Sequence, residues 1–316
     1  MNKFVSDISV VPQWLWIAFT LGILVLLAVD LSLFGRGNHK VQTKAALLES
    51  GLWIAVALCF NAWFAMSFGA ELGLEFLTGY LVEKSLSVDN LFVILLVFSS
   101  FQIPDKYQHR VLFYGVLGAI VLRAIFILLG AHLLNSFHWV LYIFGFILVI
   151  TAIKFLRDTD EKLDAKENWS IRLLKKFIPT TDKFNGSDFF VVEGGVRKAT
   201  PIFLALVVIE VTDLVFAVDS IPAVFAVTQD AFVAFASNIL AVLGLRALYF
   251  VLADWVTKLR YLKPGLAAIL GFIGIKMLLV DFFKIPSWVS LLVIFCILTV
   301  AGLSSWYVAK LEEKNR

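Results

Sequence analysis

Charge is what this sequence has least of. Asp, Glu, Lys and Arg make up 16% of its 316 residues, and hydrophobic residues 60%. Soluble domains average about 25% charged and about 45–50% apolar. With a mean hydropathy of +0.90, a soluble globular domain is excluded and a polytopic membrane protein expected. Cysteine is nearly absent. Cys59 and Cys296 stand far apart in separate apolar stretches, which argues against a disulfide framework, a CxxC redox site or a thiolate metal centre. There is no HExxH pair and no Gly-rich nucleotide loop, so neither an intramembrane metalloprotease nor direct ATP drive is supported, and no enzyme activity, permanently bound cofactor or nucleic-acid partner is expected.

What is present is a set of long apolar runs. At about 20 residues per crossing, the runs predict nine transmembrane helices, at 11–34, 45–67, 73–99, 109–134, 137–156, 200–228, 231–256, 263–283 and 286–309. The first is too long for a signal-peptide core and lacks a small-residue cleavage pattern, so it is expected to be retained. Basic residues cluster after spans one, three, five and seven and at the end of the chain: Arg36 and Lys40, Lys106 and Arg110, the set from Arg157 to Lys198, Lys258 and Arg260, then Lys310 to Arg316. The alternate connections carry acids or little charge. The positive-inside rule then places the N-terminus outside and the C-terminus in the cytoplasm. Within the basic connection, Trp169 to Ile178 suits a surface amphipathic helix. Gly194-Gly195 between Phe189–Glu193 and Val196–Lys198 suits a two-residue hairpin turn.

Against this apolar background the acids stand out. Glu83-Lys84-Ser85-Leu86-Ser87-Val88-Asp89-Asn90 in span three is echoed by Asp213-Leu214-Val215-Phe216-Ala217-Val218-Asp219-Ser220 in span six. Glu83 to Asp213 and Asp89 to Asp219 are both offset by 130, Leu122-Arg123-Ala124 to Leu245-Arg246-Ala247 by 123, and Ile153-Lys154 to Ile275-Lys276 by 122. Spans three to five therefore resemble spans six to eight. Three is odd, so the second unit enters from the other side and the fold expected is an all-α inverted repeat, with its site near the midplane between the units. The segments are 1–72 (two helices), 73–156 (first unit), 157–199 (cytoplasmic loop), 200–284 (second unit) and 285–316 (last helix and tail).

A mid-membrane acid costs about 2.5–3.5 kcal/mol even on a lenient scale, so each is a candidate functional group. Residues six apart on a helix lie about 120° apart and about 9 Å along the axis. Glu83, Ser87 and Asn90 share one face, and Asp213, Ser220 and Glu210 the equivalent one, while Asp89 and Asp219 point elsewhere. A straight helix then lines a pathway rather than closing one cluster, unless Pro222 breaks span six and frees carbonyls. The candidate ligands are Glu83, Asp89, Asn90, Glu210, Asp213, Asp219 and Ser220. All-oxygen coordination favours Mg²⁺, Ca²⁺ or Mn²⁺ over Zn²⁺ or Cu⁺, and the same groups could exchange a metal for protons. Arg123, Arg246, Lys84 and Lys276 also lie within spans and could instead neutralise acids as buried ion pairs. Asp30 and Asn61 are lone polar residues, as fit to cap or pair locally as to join the site. Gly115, Gly118, Gly271 and Gly274 suit close helix packing.

These motifs resemble the two signature segments of the TerC family, the second from Glu210-Val211-Thr212-Asp213 through Asp219-Ser220-Ile221-Pro222-Ala223. Gly244-Leu245-Arg246-Ala247-Leu248-Tyr249-Phe250 and Gly274-Ile275-Lys276-Met277-Leu278 extend the resemblance. Length and span plan are similar to the Alx-like branch. The resemblance implies a bacterial inner-membrane metal exporter with Mn²⁺ as substrate, a historical tellurium-resistance label, and functional acids at Glu83, Asp89, Glu210, Asp213 and Asp219. The partners expected are Mn²⁺ or a similar divalent cation, the lipid bilayer, and a second copy in a homo-oligomer. The competing expectations are Ca²⁺ transport, and a membrane stress-response or assembly factor acting through the loop 157–199.

Overall fold

The computed structural model describes residues 9–34, 43–137, 139–157, 176, 178–252, 261–283 and 285–314. The amphipathic helix expected around residues 169–178 falls almost wholly outside them. The described chain is α-helical, with one small hairpin. Its helices are α1 (Gln13–Phe34), α2 (Thr43–Phe68), α3 (Ala70–Ser100), α4 (Asp105–Ser136) and α5 (Val140–Arg157). After strands β1 (Phe190–Glu193) and β2 (Val196–Ala199) come α6 (Pro201–Phe225), α7 (Ala231–Leu243), α8 (Leu245–Leu252), α9 (Leu262–Leu278) and α10 (Ser287–Lys314). Among the described residues five segments are long and apolar enough to cross a membrane, 45–68, 105–136, 201–225, 231–251 and 287–308, and shorter apolar helices cover 13–29, 140–154 and 264–278. At 31 residues α3 has the length but carries Glu71, Glu75, Glu83, Lys84 and Asp89. This is an all-α membrane protein.

The centre is α7. Its thirteen residues are all buried, as a helix apolar on every side must be. Asp230 caps its start, accepting from the backbone N–H of Phe232 (2.8 Å) and Val233 (3.0 Å), which satisfies two donors the helix cannot. The same carboxylate accepts from Ser9 Oγ (2.9 Å) and Val10 N (2.6 Å), tying the start of the described chain to α7. Around α7 the helices pair between the two sequence units: α3 with α7, α4 with α6, and α5 with α9. Exchanging the units maps the first two pairings onto each other and the third onto itself.

Two local expectations turn out differently. Pro222 does not break span six, because α6 runs through it to Phe225. A proline so close to a helix end sacrifices only one bond of the last turns. The interruption falls in span seven, at Gly244 between α7 and α8. There the Lys84 ammonium donates to the Ala241 carbonyl (3.1 Å). A Cβ on residue 244 would come to 2.8 Å from Lys84 Nζ and 3.2 Å from Trp53 Cβ. Glycine leaves the room the lysine needs.

The hairpin forms at the expected turn. Glu193 pairs with Val196 across Gly194 (φ 60°) and Gly195 (φ 80°), the positive dihedrals of a type I′ turn. Arg110 of α4 fastens the preceding loop, donating to Ser187 Oγ (2.7 Å) and lying over the Phe189 ring (4.9 Å). The Lys198 ammonium, helped by Lys183, holds the Glu193 carboxyl below the usual carboxylate range. That contribution is present at neutral pH and lost as pH falls through the lowered value.

At the α5–α9 crossing the two backbones approach closely. A Cβ at Gly145 would stand 3.0 Å from the Gly274 carbonyl, and one at Gly274 would stand 2.9 Å from the Gly145 carbonyl. Small residues at such contacts let backbones meet where no hydrophobic force drives helices together. Gly274→Val is therefore expected to overpack the crossing and to cost about 1–3 kcal/mol, read as a lowered unfolding temperature in detergent. Gly22→Val on α1, where nothing lies within 4 Å, should leave that temperature unchanged.

Candidate ion-binding site

Four helices converge on one guanidinium. Arg123 of α4 has no exposed surface. Its Nε donates to Asp213 Oδ2 (3.2 Å) and its Nη2 to Asp213 Oδ1 (2.8 Å), a two-pronged grip that suits the planar fork. Its Nη1 donates to Glu83 Oε1 and to Asn238 Oδ1. Asn238, on α7, returns a hydrogen bond to Glu83 Oε2 (2.9 Å), and Asn90 on α3 donates to Asp213 Oδ1 (3.1 Å). So Glu83 and Asp213, the acids 130 positions apart, meet across α3 and α6 with an arginine between them. Removing one partner of such a buried network strands a charge, at about 3–5 kcal/mol.

Beside the cluster is a small pocket, with room for about one water, lined by Glu83, Leu86, Asn90, Arg123, Phe216, Asp219 and Ser220. Asp219 accepts from Thr151 Oγ1 of α5 (2.8 Å). Ser220 is buried, and its hydroxyl has no hydrogen-bond partner among the described residues. A second, larger pocket is mostly apolar and shares Asn90 and Phe216 with the first, and its lining includes both Asp213 and Arg246. The ion cluster lies between the two.

The seven expected ligands do not assemble as one shell. Among the described residues no three His, Cys, Asp or Glu side chains gather closely enough to hold a metal ion. Glu83, Asn90, Asp213, Asp219 and Ser220 line the cluster and its cavity. Glu210 does not: it faces α4 at Gly118, where a Cβ would collide with its carboxylate, and its Oε2 has no partner among the described residues. Three residues before Asp213, it lies about 60° around α6, enough to leave the shared face. The side chains of Asp89 and Asp30 lie outside the described residues. Ser87, expected beside Glu83, donates to the Lys84 carbonyl of its own helix (2.8 Å).

Among the described residues Arg123 forms the salt bridges to Glu83 and Asp213, and Lys154 of α5 faces Asp219. Arg246 donates to Glu49 of α2 (2.6 Å), with both side chains buried. Lys276 donates to Ser290 of α10 (3.0 Å) and faces Glu75. Lys84 goes to a backbone carbonyl, as described above. Asn238, Glu49 and Thr151 were missing from the expected set. Asn238 had a signal: with Ser237 it makes the polar step in an otherwise apolar central helix. Glu49 had a weaker one, an acid near the start of span two. Thr151 had none, because a threonine in an apolar helix commonly bonds its own backbone.

Fold and site together define a polytopic membrane protein that holds repeated acids in its interior, as ion transporters do. The chain belongs to the TerC family, since residues 68–313 match the family described as integral membrane protein TerC. It is 49% identical over 286 residues to STKORF319 of Myxococcus xanthus, a membrane protein without an assigned function, covering 90% of each chain. It is 45% identical over 311 residues to Alx of Escherichia coli K12, provisionally named a membrane-bound redox modulator, covering 96% of this chain and 97% of that one. A membrane protein of Rickettsia bellii is 41% identical over 290 residues. No solved structure matches.

Asn238→Leu keeps the branched side-chain shape while leaving Glu83 Oε2 without its Asn238 donor and Arg123 Nη1 with one acceptor in place of two. A buried group so stranded costs about 1–3 kcal/mol, and the unfolding temperature in detergent is expected to fall accordingly. An unchanged temperature would mean that the Asn238 bridge contributes nothing.

Proposed function

We propose that this chain is a divalent-cation transporter of the bacterial inner membrane, with Mn²⁺ export as its activity and protons as the counter-ion. The observation that supports this most is the meeting of Glu83 and Asp213, at equivalent positions of the two units, beside a cavity that also holds Asp219 and Ser220. These donors are hard oxygens, which favour Mg²⁺, Ca²⁺ and Mn²⁺. The TerC resemblance singles out Mn²⁺ among them. The nine-span plan with its N-terminus outside puts the two units in opposite orientations, and the cross-unit helix pairing agrees with that plan. Such repeats carry sites at their interface.

The name of the Escherichia coli relative suggests redox control. The two cysteines of this chain are single and exposed, Cys59 on α2 and Cys296 on α10, and offer no dithiol. On our reading, any redox effect follows from the cell's metal status. The alternative of a stress-response factor draws support from the hairpin, which is held firmly against α4.

The two readings separate experimentally. In cells lacking other Mn²⁺ exporters, the intact protein should lower intracellular Mn²⁺. Asp219→Asn, made at equal membrane abundance, should cut the export rate by at least about tenfold, equivalent to about 1.4 kcal/mol on the rate-limiting barrier. Replacing residues 190–199 by a Gly-Ser linker should preserve export. Full export by Asp219→Asn together with loss of activity on hairpin replacement would overturn the transporter reading in favour of the docking one.

A further inference from the structure

We propose that Arg123 is a built-in competitor cation: it occupies the Glu83–Asp213 carboxylates in the empty protein, and an arriving divalent ion displaces it toward Asp219. The inference rests on the transport reading above and assigns the arginine a role in it.

Three observations carry it. All four carboxylate oxygens of the pair are engaged, three by Arg123 and the fourth by Asn238, with Asn90 adding to one of the three. A cation therefore reaches this pair only by taking the place of the guanidinium. The small pocket that Arg123 lines marks the direction in which it moves, since Asp219 stands in the same wall, and the pocket, with room for about one water, opens as the guanidinium enters. Finally, Ser220 Oγ is buried in that wall without a partner among the described residues, an unused acceptor for a guanidinium N–H or an unused ligand for an ion. A buried polar atom normally has a partner, so the Ser220 hydroxyl is available to whichever cation enters this wall.

The chemistry follows from what the two cations are. The guanidinium spreads one charge over a plane and binds through N–H groups in a fixed fork. A hard divalent ion concentrates two charges and gathers oxygens around itself. Two carboxylates on separate helices suit either, but not both together. A monovalent ion brings no more charge than the arginine already supplies and has to break three charged hydrogen bonds to enter. The tethered cation thus selects for divalent ions. It also assists release, because when it swings back it refills the carboxylates that the ion leaves.

The test uses the full chain in lipid nanodiscs, titrated with Mn²⁺ while free ion is followed by electron paramagnetic resonance. Transport is measured in parallel in proteoliposomes. Arg123→Gln is expected to bind Mn²⁺ at least about tenfold more tightly than the unaltered protein, while its transport rate falls because nothing helps the ion leave. Arg123→Lys keeps the charge but not the fork and is expected to fall between the two, which keeps the test decisive should Arg123→Gln fail to fold. Asp219→Asn should weaken Mn²⁺ binding when Arg123 is present and have a smaller effect in either Arg123 variant. A merely structural arginine would produce no tighter binding, so variants that bind Mn²⁺ as weakly as the unaltered chain, or more weakly, overturn the proposal. Saturable binding absent from the unaltered protein and every variant would instead overturn the transport reading beneath it.

Discussion

A charge inside a membrane has to be answered by another charge or by hydrogen bonds, and in this protein Arg123 answers the two repeated acids Glu83 and Asp213 at once. Its planar fork reaches two acids on two helices at once and an amide on a third. Helices α3, α4, α6 and α7 are therefore obliged to meet at one depth and one rotation. Within lipid no hydrophobic force draws helices together, so a polar knot of this kind, together with close backbone contact, determines which helices become neighbours. The α5–α9 pair uses the second device, with Gly145 and Gly274 letting carbonyls approach. One crossing is held by charge and the other by the absence of side chains.

The same economy appears at the margins of the site. Lys84 is next to Glu83 in sequence yet serves a different purpose, satisfying the Ala241 carbonyl where span seven is interrupted. Arg246, which is equivalent to Arg123 in the second unit, holds Glu49 of α2. The two units are thus alike in sequence and unlike in how their arginines are used. Only one of them occupies the acidic pair, and the larger cavity runs from that pair toward the other.

Much of this was legible beforehand. Apolar runs and loop charges are read by length and composition alone, and these gave the helical membrane class. The offset of 130 marked Glu83 and Asp213 as equivalent, and both arrived at one cluster. The angular argument also held in part, separating Asp219, which bonds to α5, from Asp213. It was less reliable for Glu210, because a sixty-degree difference decides whether a side chain faces the cluster or the neighbouring helix, and sequence spacing does not reveal which helix stands there. Pro222 misled for a related reason: its effect depends on how near the helix end it falls. The break at Gly244 and the partners Asn238, Glu49 and Thr151 are products of tertiary contact, since each is defined by a residue more than sixty positions away.

Asp230 joins the beginning of the described chain to its middle, accepting from Ser9 and Val10 across some 220 positions. Consider what this means while the protein is being made. Ser9 and Val10 leave the ribosome early, but their anchor is not synthesised until the described helices α1 to α6 have been laid down. Meanwhile α7 itself, buried on every side, has no lipid-facing surface to rest on and must be received into a bundle already waiting for it. The stretch made first is fastened only after α7 arrives, so assembly cannot be completed in order from one end. Long-range closure of this kind is the slow part of any folding reaction. Here it makes the insertion of one helix the event that locks the whole.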